Sequence, residues 1–301
     1  MSSLYKSLIV TTIFFVFILL GYSYYDRQFR LSNIKYIWPN ATVSQITEER
    51  LEYLNKIFSQ PFHYLDRGKQ SFVFESQDKK YVLKFFDNRC LRSGKFSFLI
   101  SIKKNQCEKK LNRLLIGYQV AETHDVENTG LLFLQLVPDP AYRLKVNLTD
   151  RFSLSHVIDL SEVPFVLQEK AIPLRKVISG LLKKDNVVAA EKRLREIMDM
   201  YVNEYQRGVI DLDHNFMYNT GFVDGHPIRI DLGRLTYEDK IKDPILYRYD
   251  LEKVFIGRLG SWLDRHFPKY KEEIMRDMQN KLDLLNDFFS IMSFKLYMFT
   301  G

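Results

Sequence analysis

One stretch decides how this chain folds: RGVIDLDHNFMYNTGFVDGHPIRIDLGRL, Arg207–Leu235, with four aspartates and two asparagines among apolar residues. Ordinary turn chemistry accounts for its VDGHP part, because Asp, Gly and Pro all favour turns. It does not account for Asp231, an acid that directly follows the strand-like IRI and precedes Leu-Gly. Asp213 and Asn219 stand upstream at a spacing that suits one shared site. Oxygen-bearing side chains in this order indicate a site for a metal ion and phosphate.

The composition bounds the class of protein. The chain has 301 residues, of which 46% are hydrophobic and 27% charged, so it is long enough for one large domain or two lobes and is globular rather than disordered. A net charge of +7 favours anionic partners. The sequence has no arginine-rich tail or nucleic-acid motif, so nucleic acid is not an expected partner. Cys90 and Cys107 have no metal-binding spacing and permit one disulfide.

The N-terminus carries an uncharged apolar stretch, SLIVTTIFFVFILLGYSYY, of 19 residues. A helix of that length, at about 1.5 Å per residue, roughly matches a bilayer core, and its tyrosines suit a membrane interface. The sequence therefore predicts a transmembrane anchor over residues 1–25. A cleaved signal peptide is the alternative, but no small-x-small cleavage site follows. Basic residues after the stretch favour a cytoplasmic catalytic domain at the membrane.

The rest of the chain divides into three parts. Residues 26–60 are predicted to form a polar juxtamembrane linker and a helix. Residues 61–169 are rich in strand patterns and residues 170–301 in helical ones, which predicts an α+β fold with a β-rich N-lobe and a helical C-lobe. The helix before the quoted stretch has one apolar stripe, formed by Ala190, Leu194, Ile197, Tyr201 and Tyr205.

Two further segments give the quoted stretch a context. GKQSFV begins at Gly68 and YVLK ends at Lys84. In order with GVIDLD and DLG, they resemble the motifs of the protein-kinase-like superfamily over roughly residues 68–250. The resemblance implies that Gly68 and Ser71 lie in the loop over the nucleotide phosphates, where Asp66 and Ser71 replace the other two glycines. It implies that Lys84 binds the α and β phosphates.

The same resemblance assigns the partner of the lysine and the adenine site. Glu108, on the inward face of the next helix, is the predicted acid for an ion pair with Lys84, and Glu122 is the alternative. The segment PFVLQEK corresponds to the hinge, where Glu169 and Ala171 would offer backbone groups to adenine. The hairpins predicted over residues 131–160 are an insertion without an assigned role.

In the quoted stretch, GVIDLD stands where the family has a histidine-arginine-aspartate motif. Asp213 takes the place of the catalytic aspartate, while Asn219 and Asp231 would hold Mg²⁺. Asp213 and Asn219 are six positions apart where five is usual, so Asn215 is an alternative metal ligand. Asp211 is the alternative base.

The resemblance also predicts a function. No A-P-E motif follows Gly233, which favours the compact branch that includes lipopolysaccharide-core, RIO-type and aminoglycoside-phosphotransferase-type kinases. We therefore expect a membrane-anchored kinase that uses ATP and Mg²⁺ to phosphorylate a hydroxyl of an anionic glycolipid, a lipopolysaccharide-core-type acceptor or a membrane-proximal protein. The missing glycines leave open a pseudokinase that serves as a binding or scaffold module. Sequons at Asn40 and Asn147 leave open a luminal kinase of the secretory pathway.

Overall fold

The strand-rich part of the chain is one curled sheet, as predicted for the N-lobe. Its strands follow the order β4-β7-β3-β2-β1-β5-β6. Neighbours are antiparallel except β1 and β5, which are parallel. The strands are β1 (Phe62–Arg67), β2 (Ser71–Ser76), β3 (Tyr81–Phe86), β4 (Leu131–Gln135), β5 (Lys145–Thr149), β6 (Ser155–Asp159) and β7 (Phe165–Glu169).

This computed structural model describes residues 3–26, 28–35, 38, 46–68, 70–91 and 97–299. Side chains are described for most of these, but not at the two chain ends, in the last turn of α1 apart from Tyr24, in the first turns of α4 or at Cys90. Asn40, of the first sequon, lies outside the described residues. Cys107 is buried and disulfide-bonded.

Helices form most of the rest. The first four are α1 (Ser3–Asp26), α2 (Leu31–Ile34), α3 (Glu48–Phe58) and α4 (Ser97–His124). The C-lobe contains α5 (Leu174–Leu182), α6 (Val187–Gln206), α7 (Phe216–Asn219), α8 (Pro244–Leu251), a π-helix (Glu252–Arg258), α9 (Leu259–His266) and α10 (Lys271–Phe299). Its short strands are β8 (Ile172–Pro173), β9 (Val209–Asp211), β10 (Thr220–Val223), β11 (His226–Arg229) and β12 (Leu235–Tyr237). The predicted α+β fold with a β-rich and a helical lobe is confirmed.

Each lobe has its own core. On α6 the predicted apolar stripe is fully buried, because residues three or four positions apart share one helical face. The core of the sheet lobe is aromatic and includes Phe29, whose ring centroid lies 4.9 Å from that of Phe74 and 5.5 Å from that of Phe72. The segment before the sheet thus packs into the N-lobe. The insertion over residues 131–160 adds the β5–β6 hairpin to the free edge of β1.

The first helix requires a correction. Within α1 the described run of apolar side chains covers positions 9–21 and is exposed. Among the described residues, no helix combines the length and the apolar character required to cross a bilayer. The predicted transmembrane anchor over residues 1–25 and the predicted membrane localisation are therefore not supported.

A buried ion-pair network joins α6, β9 and β11. Arg229 is fully buried, and its Nε donates to Glu204 Oε1 at 2.7 Å while its Nη1 donates to Asp211 Oδ2 at 2.9 Å. Its guanidinium carbon also lies 4.2 Å from the ring centroid of Tyr201. Buried charges are tolerated only when they are paired, and each charge here meets its partner. The network therefore fixes the two short strands against the main C-lobe helix.

Substitution of Arg229 tests this role. In Arg229→Met, Glu204 and Asp211 lose their buried partner, and we expect the free energy of unfolding to fall by about 3–5 kcal/mol in urea denaturation. The control is Arg195→Met on α6, which removes a partly exposed pair with Asp277 and should cost less than about 1 kcal/mol. Equal losses in the two variants would contradict a special role for Arg229.

Candidate active site

Lys84, on β3, lies near Asp231, which follows β11 by two residues. Lys84 is buried on β3, and its Nζ donates to the carbonyl oxygen of Ile230 at 2.6 Å. Burial lowers the pKa of Lys84 to about 8, and the nearby charge of Asp231 opposes this shift. A buried ammonium group is stabilised by a nearby anion, and a bound polyphosphate would provide one. The position of Lys84 therefore suits the role that the sequence predicts.

Asn219 links Asp213 and Asp231, two of the four aspartates of the quoted stretch. Its side-chain Nδ2 donates to Asp213 Oδ2 at 3.1 Å, and its backbone oxygen accepts from the N–H of Ile230 at 2.6 Å. The residue after Ile230 is Asp231. The structure thus brings three of the predicted residues, Asp213, Asn219 and Asp231, into one set of contacts.

Asp211 and Asp213 differ in burial and in their hydrogen bonds. Asp211 is buried, and both of its carboxylate oxygens are engaged, one by Arg229 and the other by the N–H of Asp213 at 2.9 Å. Burial raises its pKa, and Arg229 opposes the shift. Asp213 is only partly buried. This geometry favours Asp213 as the base and gives Asp211 a supporting role. The alternative ligand Asn215 lies at the start of α7, where its backbone oxygen accepts from Asn219 N–H.

The DLG turn packs directly against α4. Asp231 is exposed, and its Oδ1 accepts from the N–H of Gly233 at 3.1 Å, as in an Asx-turn. A Cβ at Gly117 would stand 2.2 Å from the carbonyl oxygen of Leu232, and a Cβ at Gly233 would stand 2.3 Å from Leu114 Cδ1. Glycine at both positions permits this close approach. Sequence reasoning missed Gly117, although a glycine within a predicted helix was a signal for it.

The structure corrects the predicted partner of Lys84. Among the described residues, the charge that acts on the pKa of Lys84 is that of Asp231, and not that of Glu108 or Glu122. The α4 residue beside Asp231 is the buried Tyr118, whose pKa is raised by burial and by that carboxylate. Glu108 lies ten positions before Tyr118, which is roughly 15 Å along the helix. Burial raises the pKa of Glu122, and Arg50 opposes this.

The phosphate loop and hinge are placed as follows. Gly68 N–H donates to Ser71 O at 2.9 Å, so the loop is a tight turn between β1 and β2. At the hinge, Glu169 N–H donates to Gly130 O at 2.8 Å. Ala171, the other predicted hinge residue, is partly buried and directly precedes β8. Of the predicted cofactor-binding groups, Gly68 and Ser71 thus lie where β1 turns into β2, and Ala171 follows β7.

The donors suit Mg²⁺. Asp231 offers an exposed carboxylate, and Asn219 offers a side-chain oxygen once its amide nitrogen is turned to Asp213. Mg²⁺ prefers oxygen ligands and commonly takes only one or two from the protein, the others coming from phosphates and water. Within the described ranges, no three His, Cys, Asp or Glu side chains form a metal cluster. These two residues could therefore hold Mg²⁺ together with a nucleotide.

The contact of Gly117 can be tested against a matched glycine. Gly117→Ala forces α4 and the DLG turn apart, so we expect weaker Mg-ATP binding and a stability loss of about 1–3 kcal/mol. Gly180, in α5, has open space around it, and Gly180→Ala should stabilise the fold by up to about 1 kcal/mol. Thermal denaturation and nucleotide titration report both effects. Equal behaviour of the two variants would mean that the close approach is unimportant.

The pKa of Lys84 predicts a pH dependence. Its charged form, which binds phosphate, predominates below about pH 8 and is lost above it. We therefore expect the affinity for Mg-ATP to fall about tenfold from about pH 7 to about pH 9. Lys84→Met should bind weakly without this dependence, whereas variant Lys80→Ala on the adjacent turn should keep it. An affinity that is flat with pH in the unsubstituted chain would contradict the assignment.

Comparison with known proteins reports similarity of fold. No family model matches the sequence, and no curated protein does. Similar solved structures include WbdD with a kinase inhibitor, at 14% identity and a TM-score of 0.36, where the match covers 74% of this chain and 45% of that chain. The bifunctional kinase-methyltransferase WbdD matches at 14% identity and a TM-score of 0.36, over 72% of this chain and 43% of that chain. The streptomycin-ATP complex of APH(2")-IIa matches at 13% identity and a TM-score of 0.27, over 82% of this chain and 95% of that chain. The chain spans less than half the length of the WbdD chains. The resemblance to the protein-kinase-like superfamily thus stays a prediction from the motifs of the sequence.

Proposed function

We propose that the chain is a kinase that transfers the γ-phosphoryl group of ATP to a hydroxyl group. One continuous set of contacts carries the proposal. Lys84 donates to the carbonyl of Ile230, whose N–H donates to Asn219, whose side chain donates to Asp213. The phosphate-binding lysine, the metal ligands and the base are thus held in one place. Phosphoryl transfer depends mainly on such positioning and on charge stabilisation.

In the proposed reaction, Asp213 accepts the proton of the acceptor hydroxyl. The hydroxyl oxygen forms a bond to the γ-phosphorus while the bond from that phosphorus to the β–γ bridging oxygen breaks, and ADP leaves with that oxygen. The contacts of Asp213 with Asn219 and with Asp211 fix its orientation. Asp213 therefore orients the nucleophile rather than supplying covalent chemistry.

Lys84 and the metal ligands would act on the phosphates. The described acceptor of Lys84 is one carbonyl oxygen, so two of the three donors of its ammonium remain for the α and β phosphates. Asp231 and Asn219 would hold Mg²⁺, which supplies charge neutralisation of the β and γ phosphates. Ala171 N–H and the carbonyl of Glu169 would contact adenine, and the turn at Gly68 and Ser71 would cover the phosphates.

A sugar hydroxyl, of glycolipid or lipopolysaccharide-core type, is the acceptor that we propose. The segment from Gly233 to α8, which begins at Pro244, is short, and part of it is used by β12, which pairs with β9. It offers little platform for an extended peptide. This supports a compact acceptor over a protein substrate.

A nucleotide-binding pseudokinase is the second candidate. The turn at Gly68 lacks the other glycines of a phosphate loop, and Asp66 precedes it. Among the described residues, no acid of α4 acts on the charge of Lys84. Both features favour weak chemistry, and turnover distinguishes the candidates.

Two substitutions test the proposal in the full-length chain. Asp231→Ala should abolish the thermal shift caused by ATP with Mg²⁺. Asp213→Asn should keep that shift but lower turnover about 10²–10⁴-fold, because it removes the base and leaves the nucleotide site. Asp224→Asn, in an exposed turn, is the control and should change neither. Undiminished turnover in Asp213→Asn, or no shift in the folded unsubstituted chain, would refute the proposed kinase.

A further inference from the structure

One aromatic residue of α7, the single turn between the proposed base and β10, is exposed. Tyr218 is 44% exposed, whereas the neighbouring Phe216 and Met217 are buried in the core of the C-lobe. The N–H of Tyr218 donates to the carbonyl oxygen of Asn215 at 3.0 Å, which closes the turn. The next residue is Asn219, whose side chain donates to the proposed base. Tyr218 therefore stands beside the site without belonging to the core.

A guanidinium group from α5 lies over this ring. The guanidinium carbon of Arg175 is 4.7 Å from the ring centroid of Tyr218. Stacking on an aromatic face orients a guanidinium group and leaves the N–H donors in its plane available for an anion. The Arg175 side chain is exposed, and within the described part of the chain it has neither an acidic partner nor a hydrogen-bond acceptor. Its donors are therefore oriented by the ring and free to bind a ligand.

The pairing of β8 with β10 fixes the backbone on both sides of this contact. Gly221 of β10 pairs with Pro173 of β8. Gly221 follows Asn219 by two residues, and Pro173 precedes Arg175 by two. A Cβ at Gly221 would stand 2.4 Å from the carbonyl oxygen of Ile172, so glycine permits a close approach of the two strands. One strand pair thus sets the position of Arg175 relative to the proposed metal ligand.

A second arginine of the C-lobe shows a stacked guanidinium whose donors are already used. Arg193, on α6, lies with its guanidinium carbon 4.9 Å from the ring centroid of the buried Phe222. Its Nη1 donates to Glu196 Oε2 at 2.7 Å and to the carbonyl oxygen of Gly225 at 3.0 Å. Arg193 thus serves the fold, whereas Arg175 stacks on an exposed ring and keeps its donors for a ligand.

We propose that Arg175 and Tyr218 form an acceptor subsite in which Arg175 binds an anionic group, a phosphate or carboxylate, of the acceptor sugar. This inference rests on the proposed kinase function and adds to it the class of acceptor, an anionic sugar. Arginine binds such groups through two parallel hydrogen bonds. An acceptor held there beside α7 would present a neighbouring hydroxyl to Asp213. Arg175 is thus a specificity-determining residue, and Tyr218 is the residue that positions it.

The test uses the full-length chain, with glucose 6-phosphate and glucuronate as probes. Calorimetric titration is done with Mg²⁺ and a non-hydrolysable ATP analogue present, so that the probe does not occupy the nucleotide site. Arg175→Ala should bind the tighter probe about tenfold or more weakly than the unsubstituted chain, because hydrogen bonds between charged groups are lost. Arg175→Lys should fall between the two, because it keeps the charge without the paired hydrogen bonds. Tyr218→Ala should also weaken binding, because the guanidinium loses the ring that orients it.

The matched control is Lys176→Ala. It removes an exposed cation from the next position of α5, which faces another side of the helix, and it should bind normally. Equal weakening in Arg175→Ala and Lys176→Ala would show a general effect of net charge and would overturn the subsite. Unchanged affinity in Arg175→Ala would overturn it as well.

A second arm identifies the anion, with glucose as the neutral probe under the same conditions. A phosphate subsite binds glucose 6-phosphate most tightly, and a carboxylate subsite binds glucuronate most tightly. The proposal is overturned when neither anionic sugar binds more tightly than glucose.

The thermal shift with Mg-ATP, recorded on each protein, separates this inference from the proposed function. No shift in the unsubstituted chain rejects the kinase. An intact shift together with unchanged probe affinity in Arg175→Ala rejects the subsite alone. A shift that is lost in Arg175→Ala would assign Arg175 to the nucleotide site and would also overturn the acceptor subsite.

Discussion

The structure depends on one buried arginine. Arg229 lies two residues before Asp231, and its partner Asp211 lies two residues before Asp213. A single ion pair therefore links the strand that leads to the proposed metal ligand with the loop that carries the proposed base. Glu204 anchors the same guanidinium to α6, so the hydrophobic core of the C-lobe holds both acids in place. Because the ions are buried, their geometry is fixed much more firmly than a surface pair would be.

Arg229 stabilises the fold, whereas the burial of Lys84 suits ligand binding at the expense of stability. Its ammonium is buried with one described carbonyl acceptor and a carboxylate nearby, and burial lowers its pKa to about 8. A buried ammonium group without full charge compensation destabilises the fold, and the phosphates of a nucleotide would supply the missing negative charge. Among the described residues, Asp231 supplies the charge that acts on Lys84, and it is also the proposed metal ligand. Tyr118 fills the space beside them with an apolar ring.

Much of this arrangement follows from local sequence signals. The period of the stripe on α6 gives its buried face, and the alternation in YVLK places Lys84 on the inner face of β3. The order of Asp213, Asn219 and Asp231 indicates a shared site, and the structure brings them together. By contrast, the transmembrane anchor is predicted from the hydropathy of the whole apolar N-terminal stretch. The described helix does not support the anchor that this predicted.

The sequence by itself determined the secondary structure of the main elements, the two-lobed α+β class and the chemistry of the residues in the DLD and DLG segments. Only the tertiary structure decided which of them meet. Helical periodicity states which face of α4 is inward but not which turn faces Lys84, so Glu108 and Glu122 were chosen and Gly117 with Tyr118 were missed. Likewise, Asp211 and Asp213 look alike in sequence, and the buried contact with Arg229 separates them. Contacts between distant segments depend on packing, which local patterns do not encode.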